Sequence, residues 1–112
     1  MLSWSSTTEG NPADLNAIVR GEGDAGLPHG RELVAFTDAI AGYDDAALEA
    51  ARRRLVSAAG EAFMIDAAAV AANFEMMTRV ADGTGARFAE AGAAARGALD
   101  EQLGLHDLTS RR

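Results

Sequence analysis

The sequence predicts an all-α fold, a bundle of four to five helices. Apolar residues recur at steps of three and four, and no segment alternates polar and apolar residues long enough for a strand. Much of the 48% hydrophobic content is alanine, the best helix former. We expect a flexible N-terminal segment over residues 1–10, one helical domain over 11–103 and a C-terminal tail over 104–112.

The first helix is predicted to begin at Asn11-Pro12, because asparagine caps helices and proline fits the first turn. It should continue to Arg20, with helical spacing of its apolar residues Leu15, Ile18 and Val19. The next segment, residues 21–30, reads GEGDAGLPHG. Its four glycines and one proline predict a loop.

Two further helices follow this loop. The second should span about Arg31 to Ala41, and its inward residues are Leu33, Phe36 and Ile40. The break at 42–45 contains an aspartate that caps the third helix, Ala46 to Ala59. The inward stripe of that helix consists of Leu48, Ala51, Leu55 and Ala59. Gly60 then follows as a natural helix stop.

The fourth helix begins between Glu61 and Asp66 and runs to Asp82, before the stops Gly83 and Gly85. Its inward positions are predicted to be Phe63, Val70, Phe74, Met77 and either Val80 or Ala81. A helix that is apolar nearly all round is expected at the centre of its bundle. The last helix should span about 86–103, weakened by two internal glycines.

Composition excludes several functions. A net charge of −7 argues against nucleic acid, whose binding needs clustered cations. The chain has no lysine, which removes Schiff-base chemistry, and no cysteine, which removes thiolate catalysis and disulfides. We expect no membrane span, because no apolar run is long enough to cross a bilayer. We expect no signal peptide, because residues 1–10 are polar. A cytoplasmic location is therefore expected.

One string resembles a known family. Arg79-Val80-Ala81-Asp82 is followed by Gly85, and Phe74 stands five residues before the arginine. Together with a preceding helix that ends Ala59-Gly60, these residues resemble the C-terminal half of the alkylhydroperoxidase-like family (AhpD-like, carboxymuconolactone decarboxylase-type). The resemblance covers about half of the chain, residues 31–85. It implies a helical fold and oligomeric assembly.

The resemblance does not extend to the catalytic residues of the family. The family's peroxidase reaction uses a Cys-x-x-Cys pair with a nearby histidine and glutamate, and this chain has no cysteine. Glu75 also stands where many members have asparagine. No catalytic residue carries over, and no cofactor is implied.

Five polar residues are candidates for a site. Arg79 and Asp82 are helix neighbours at i, i+3, which predicts an ion pair and, as an alternative, an anchor for an anion or a partner subunit. Asn73 is predicted to be a buried hydrogen-bonding group between helices. His29 and Glu32 are weak candidates for acid–base catalysis at a helix start. No metal site is predicted, because the two histidines lack a ligand set.

Three hypotheses follow. The first is a helical scaffold domain without peroxidase chemistry, assembled as a homodimer or higher homo-oligomer. The second is a non-catalytic subunit that completes an AhpD-like site on a cysteine-containing partner chain. The third is a small cofactor-free enzyme that uses His29, Glu32 or Arg79, which requires these side chains to converge.

Overall fold

The computed structural model describes residues 8–10, 12–21, 23–86 and 93–105. It confirms the all-α prediction: the described residues form helices and connecting turns, with no strand among them. The helices are α1 (Leu15–Arg20), α2 (Gly30–Ala41), α3 (Asp45–Ala59), α4 (Glu61–Thr84) and α5 (Ala93–Gln102). The chain divides into two compact units, Met1–Met76 and Met77–Arg112, and the division falls within α4.

Helix α1 begins three residues later than the sequence predicts. Asp14 is its N-cap, and the carboxylate accepts a hydrogen bond from the backbone N–H of Asn16 at 3.0 Å. The backbone N–H of Asp14 donates to the carbonyl of Ala25, which ties this cap to the glycine loop. The buried residue of α1 is Ala17, while Ile18 is half exposed.

Helices α2 and α3 pack against each other through residues of their predicted stripes. Phe36 from α2 and Ala51 and Leu55 from α3 form the buried cluster between them. Leu33, Ile40, Leu48 and Ala59 pack around this cluster. Asp44 caps α3 by accepting the N–H groups of Ala46 and Ala47.

Helix α4 is not the buried centre of a bundle, and that prediction is wrong. None of its described residues is buried. Only its first turns approach the α2–α3 cluster, through Met64, Ala67 and Ala68. The packed face is thus turned roughly 100° from the predicted one, the rotation of one residue. The small side chains of Ala67 and Ala68 explain why this face packs on the cluster, because they let α4 approach it more closely than Phe63 or Val70 would.

The glycine stop after α4 is confirmed, although the helix runs to Thr84, beyond Gly83. Gly85 has a φ of 67°, and its N–H donates to the carbonyl of Asp82. The N–H of Ala86 donates to the carbonyl of Ala81, which completes the two hydrogen bonds of a Schellman motif. The first part of the predicted last helix, residues 1–7 of the predicted N-terminal segment and residues 106–112 of the predicted tail lie outside the described residues.

Candidate interaction surface

Most of the large exposed apolar side chains of the described chain lie along α4. Seven large side chains of this helix are between 36% and 58% exposed: Phe63, Ile65, Val70, Phe74, Met76, Met77 and Val80. In contrast, Leu55 and Phe36 in the adjacent core are almost fully buried. A monomeric soluble protein rarely exposes a large contiguous apolar patch unless the patch binds something.

Four residues of α4 in the first unit form a regular line that we call the seam: Phe63, Ala67, Val70 and Phe74. Their spacing is four, three and four, the a/d repeat of a coiled coil. Every seam residue is apolar. This repeat brings the four positions onto one side of the helix. The seam is therefore the kind of surface that a second helix recognises.

The seam lies beside the contact between α4 and the α2–α3 cluster, and only part of it takes part in that contact. Ala67 packs partly against the α2–α3 cluster, whereas Val70 remains 57% exposed. The ring of Phe63 meets the imidazole of His29 edge-to-face, with centroids 5.7 Å apart. The first seam residue therefore contacts the turn before α2.

The charged residues of α4 lie off the seam. In the first unit, Glu61 and Glu75 lie on the side of the helix away from Val70. Asp66 is exposed on the flank, as its place in the first turns predicts. A second helix could cover the seam without burying a charge, which is the costly part of association.

The predicted site residues lie on two elements, at the start of α2 and along α4. Arg79 and Asp82 are exposed, and their ion pair stays a prediction. Asn73 is also exposed, so its predicted burial between helices is wrong.

His29 and Glu32 occupy the first turn of α2. His29 is the N-cap, has a φ of 57° and makes no side-chain capping bond. Its ring contact is with an apolar partner, Phe63, and Glu32 is half-buried. This geometry explains His29 as a packing residue at a sharp turn. The described residues contain no group of three or more potential metal ligands.

An open cleft of about 560 Å³ lies at the other end of the first unit. It is lined by Arg20, Gly21, Gly23, Arg31 and Ala35. Acidic groups offset these arginines, because the carboxylate of Asp14 lies 4.0 Å from Arg20 and the Asp38 carboxylate borders Gly21. The cleft therefore does not concentrate positive charge for an anion.

No family model, curated protein or solved structure matches this chain. In the described part of the chain, no helix is both long and apolar enough to cross a membrane. The sequence predicts most seam residues, but as core positions. The features that distinguish an exposed seam from a core face are the strict four–three spacing and the alanines Ala67 and Ala68 on the face next to it.

Proposed function

We propose that this chain is a helical scaffold domain without peroxidase chemistry that associates with a second copy through the seam of α4. The observation that carries the proposal is a 24-residue helix with no buried residue and seven large, half-exposed apolar side chains. Helices in water gain most of their stability from packing an apolar face. The described contacts of α4 with the α2–α3 cluster involve its first turns only.

The exposed area fits a modest interface. Phe63 is 36% exposed, and Val70 and Phe74 are 57% and 50% exposed. At roughly 150 Å² for a large side chain, these three seam residues present roughly 200 Å² of apolar surface. A standard interface buries about 800 Å² per partner, of which roughly 450 Å² is apolar. We therefore expect a dimer that dissociates in the micromolar range.

A second copy is the occupant that the seam favours. A four–three apolar repeat is complementary to a helix with the same repeat, and every copy of the chain supplies one. The uncharged seam lets two acidic chains approach without placing like charges inside the interface.

Kinship with the AhpD-like family is part of the proposal. Its support is the Arg79 to Asp82 string with Gly85, and the upstream Phe74. The missing cysteines support a scaffold in preference to a peroxidase. A cysteine-containing AhpD-like partner chain is the alternative occupant of the same seam.

Sedimentation velocity of the full chain between about 1 and 200 μM tests this function. The proposal expects the weight-average mass to rise from that of one 11.6 kDa chain towards that of two. A mass that stays monomeric at every concentration would overturn self-association and would leave a different partner chain as the occupant.

A further inference from the structure

We infer that α4 can leave its own α2–α3 cluster and dock on the cluster of a second copy, with Gly60 as the hinge of this exchange. The inference concerns the face of α4 that carries Met64 and Ala68 and does not depend on the seam. It goes beyond the proposed function, because it assigns a second mode of association to a different surface of the first unit.

Gly60 alone connects α3, which ends at Ala59, to α4, which begins at Glu61. Its φ of 92° and ψ of 164° lie in a region of backbone conformation that is essentially reserved for glycine. Among the described residues, no atom beyond its chain neighbours lies within 4 Å of a Cβ placed there. The bent conformation of the backbone, and not a lack of space, is therefore what requires glycine at this position.

The hydrogen bonds on either side of Gly60 are already those of a helix. Its N–H donates to the carbonyl of Val56 at 2.9 Å, and its carbonyl accepts the N–H of Met64 at 3.2 Å. Both bonds join residues four apart, so a continuous helix keeps them. Rotating φ and ψ of Gly60 to helical values therefore joins α3 and α4 into one helix. The N–H groups of residues 61–63 then take the carbonyls of residues 57–59 as intrahelical partners, which the ends of two separate helices do not supply.

A continuous helix carries α4 away from its own cluster. In the structure, Ala67 packs against the cluster that contains Leu55. Ala67 stands twelve positions after Leu55, which is about 18 Å along a straight helix and too far for these side chains to meet. The cluster and the packing face of α4 are then both open, and each fits its counterpart in a second copy as it does within one chain. Two copies that exchange α4 recover the same contacts, which makes such an exchange a low-cost route to a dimer.

The contact that has to be released for this exchange is small. No residue of α4 is buried, and its packing on the cluster involves Met64, Ala67 and Ala68. Two of these three side chains are alanines, which bury little apolar area. Gly60 favours the bent chain, because glycine adopts this conformation without strain and weakens the interior of a continuous helix. Gly60→Ala reverses both preferences.

The first measurement is sedimentation velocity of the full chain with Gly60→Ala, in a Val70→Asp background. Val70→Asp places a charge in the seam and leaves the exchanging face unchanged. We expect Gly60→Ala to tighten the dimer at least about ten-fold, because both copies avoid a bent alanine, and circular dichroism to show that the helices remain. Gly97→Ala, the same change inside α5, is the control and should leave the dissociation constant unchanged.

The second measurement is the distance between two positions within one chain. The chain has no cysteine, so Ala46→Cys and Ala69→Cys, both at exposed positions, give two unique sites for spin labels. The two positions are 23 residues apart, about 35 Å along a continuous helix, whereas the bent chain brings them closer by about 10 Å or more. Pulsed electron spin resonance of labelled chains diluted with unlabelled chains of the same variant measures this distance. We expect Gly60→Ala to lengthen it.

Three results would overturn the exchange: a folded Gly60→Ala chain that stays monomeric, a loss of helix in this variant, or a dimer that keeps the short distance. Tightening by Gly60→Ala that disappears in the Val70→Asp background would also overturn it, while supporting the seam. In contrast, a native chain that stays monomeric beside a Gly60→Ala/Val70→Asp dimer with the long distance would overturn the proposed function and support the exchange.

Discussion

The imidazole ring of His29 packs edge-to-face against the phenyl ring of Phe63, with an interplanar angle of 66°. This contact joins the turn before α2 to the first seam residue of α4. It is made from a strained backbone, because His29 is the one non-glycine residue of the described chain with a positive φ. The ring contact and the backbone strain therefore act in opposite directions on stability.

Two substitutions at His29 separate these effects. His29→Ala removes the ring while keeping the strain, and we expect a loss of about 1 kcal/mol in the free energy of unfolding. His29→Gly removes both, and relief of roughly 1 kcal/mol of strain should leave stability almost unchanged. Urea denaturation followed by circular dichroism measures both. Equal losses in the two variants would contradict the assigned strain.

The cap of α3 gives a second prediction. Asp44 accepts two backbone N–H groups at 3.0 Å, whereas its neighbour Asp45 is the first residue inside the helix. We expect Asp44→Ala to cost about 1 kcal/mol of stability and Asp45→Ala only a few tenths, at most about 0.5 kcal/mol. The same denaturation experiment compares them. A larger loss for Asp45→Ala would show that the cap has been misassigned.

Gly30 gives a third prediction, because it is buried where α2 begins. A Cβ atom there would lie 2.8 Å from the Asp24 carboxylate, which holds the loop by accepting the N–H of Gly26. We expect Gly30→Ala to destabilise the fold by about 1–3 kcal/mol through this overlap.

Gly97→Ala is the matched control. Among the described residues, no atom beyond its chain neighbours and its own helix backbone lies within 4 Å of a Cβ placed at Gly97, and the residue is inside α5. Since alanine has the higher helix propensity, this substitution should raise stability by up to about 1 kcal/mol. Thermal melts of both variants provide the comparison. An unchanged melting temperature for Gly30→Ala would contradict the predicted overlap and would show that the loop around Asp24 can shift at little cost.

Salt dependence tests how charge enters the association. Each chain carries a net charge of −7, and the charged residues of α4 lie outside the seam. Screening should weaken the repulsion between two copies, so raising NaCl from about 0.05 to 0.5 M should tighten the dimer a few-fold. Sedimentation at both salt concentrations measures the dissociation constant. A weaker dimer at high salt would instead indicate ion pairs across the interface.

The sequence predicted α2 and α3 well because each has a single apolar stripe. Phe36 and Leu55 lie on these stripes and are the largest fully buried side chains. The start of α1 was misplaced because Asn11 and Asp14 are both good caps, and the hydrogen bond from Asp14 to Ala25 decides between them only in the folded chain. Periodicity cannot make that tertiary choice.

The orientation of α4 could not be predicted for a related reason. A helix that is apolar on nearly every side offers several faces of similar hydrophobicity, so periodicity alone does not select one. The structure selects the face of Met64 and Ala68 because it fits the α2–α3 cluster closely. Phe63 and Val70 are thereby left on the surface. The residues of the interaction surface were visible in the sequence, but their exposure was not.

Val70 and Ile65 allow the central claim to be tested with one matched pair. Both are β-branched, on the same helix and nearly equally exposed, at 57% and 55%. Val70 belongs to the seam, while Ile65 lies roughly 140° around the helix from it. Sedimentation velocity of Val70→Asp and Ile65→Asp, with circular dichroism to confirm folding, is the direct measurement. The account predicts that Val70→Asp weakens the dimer at least about 30-fold and that Ile65→Asp leaves it within about three-fold of the native chain. Equal dissociation constants for the two folded variants, or a monomeric native chain, would contradict it.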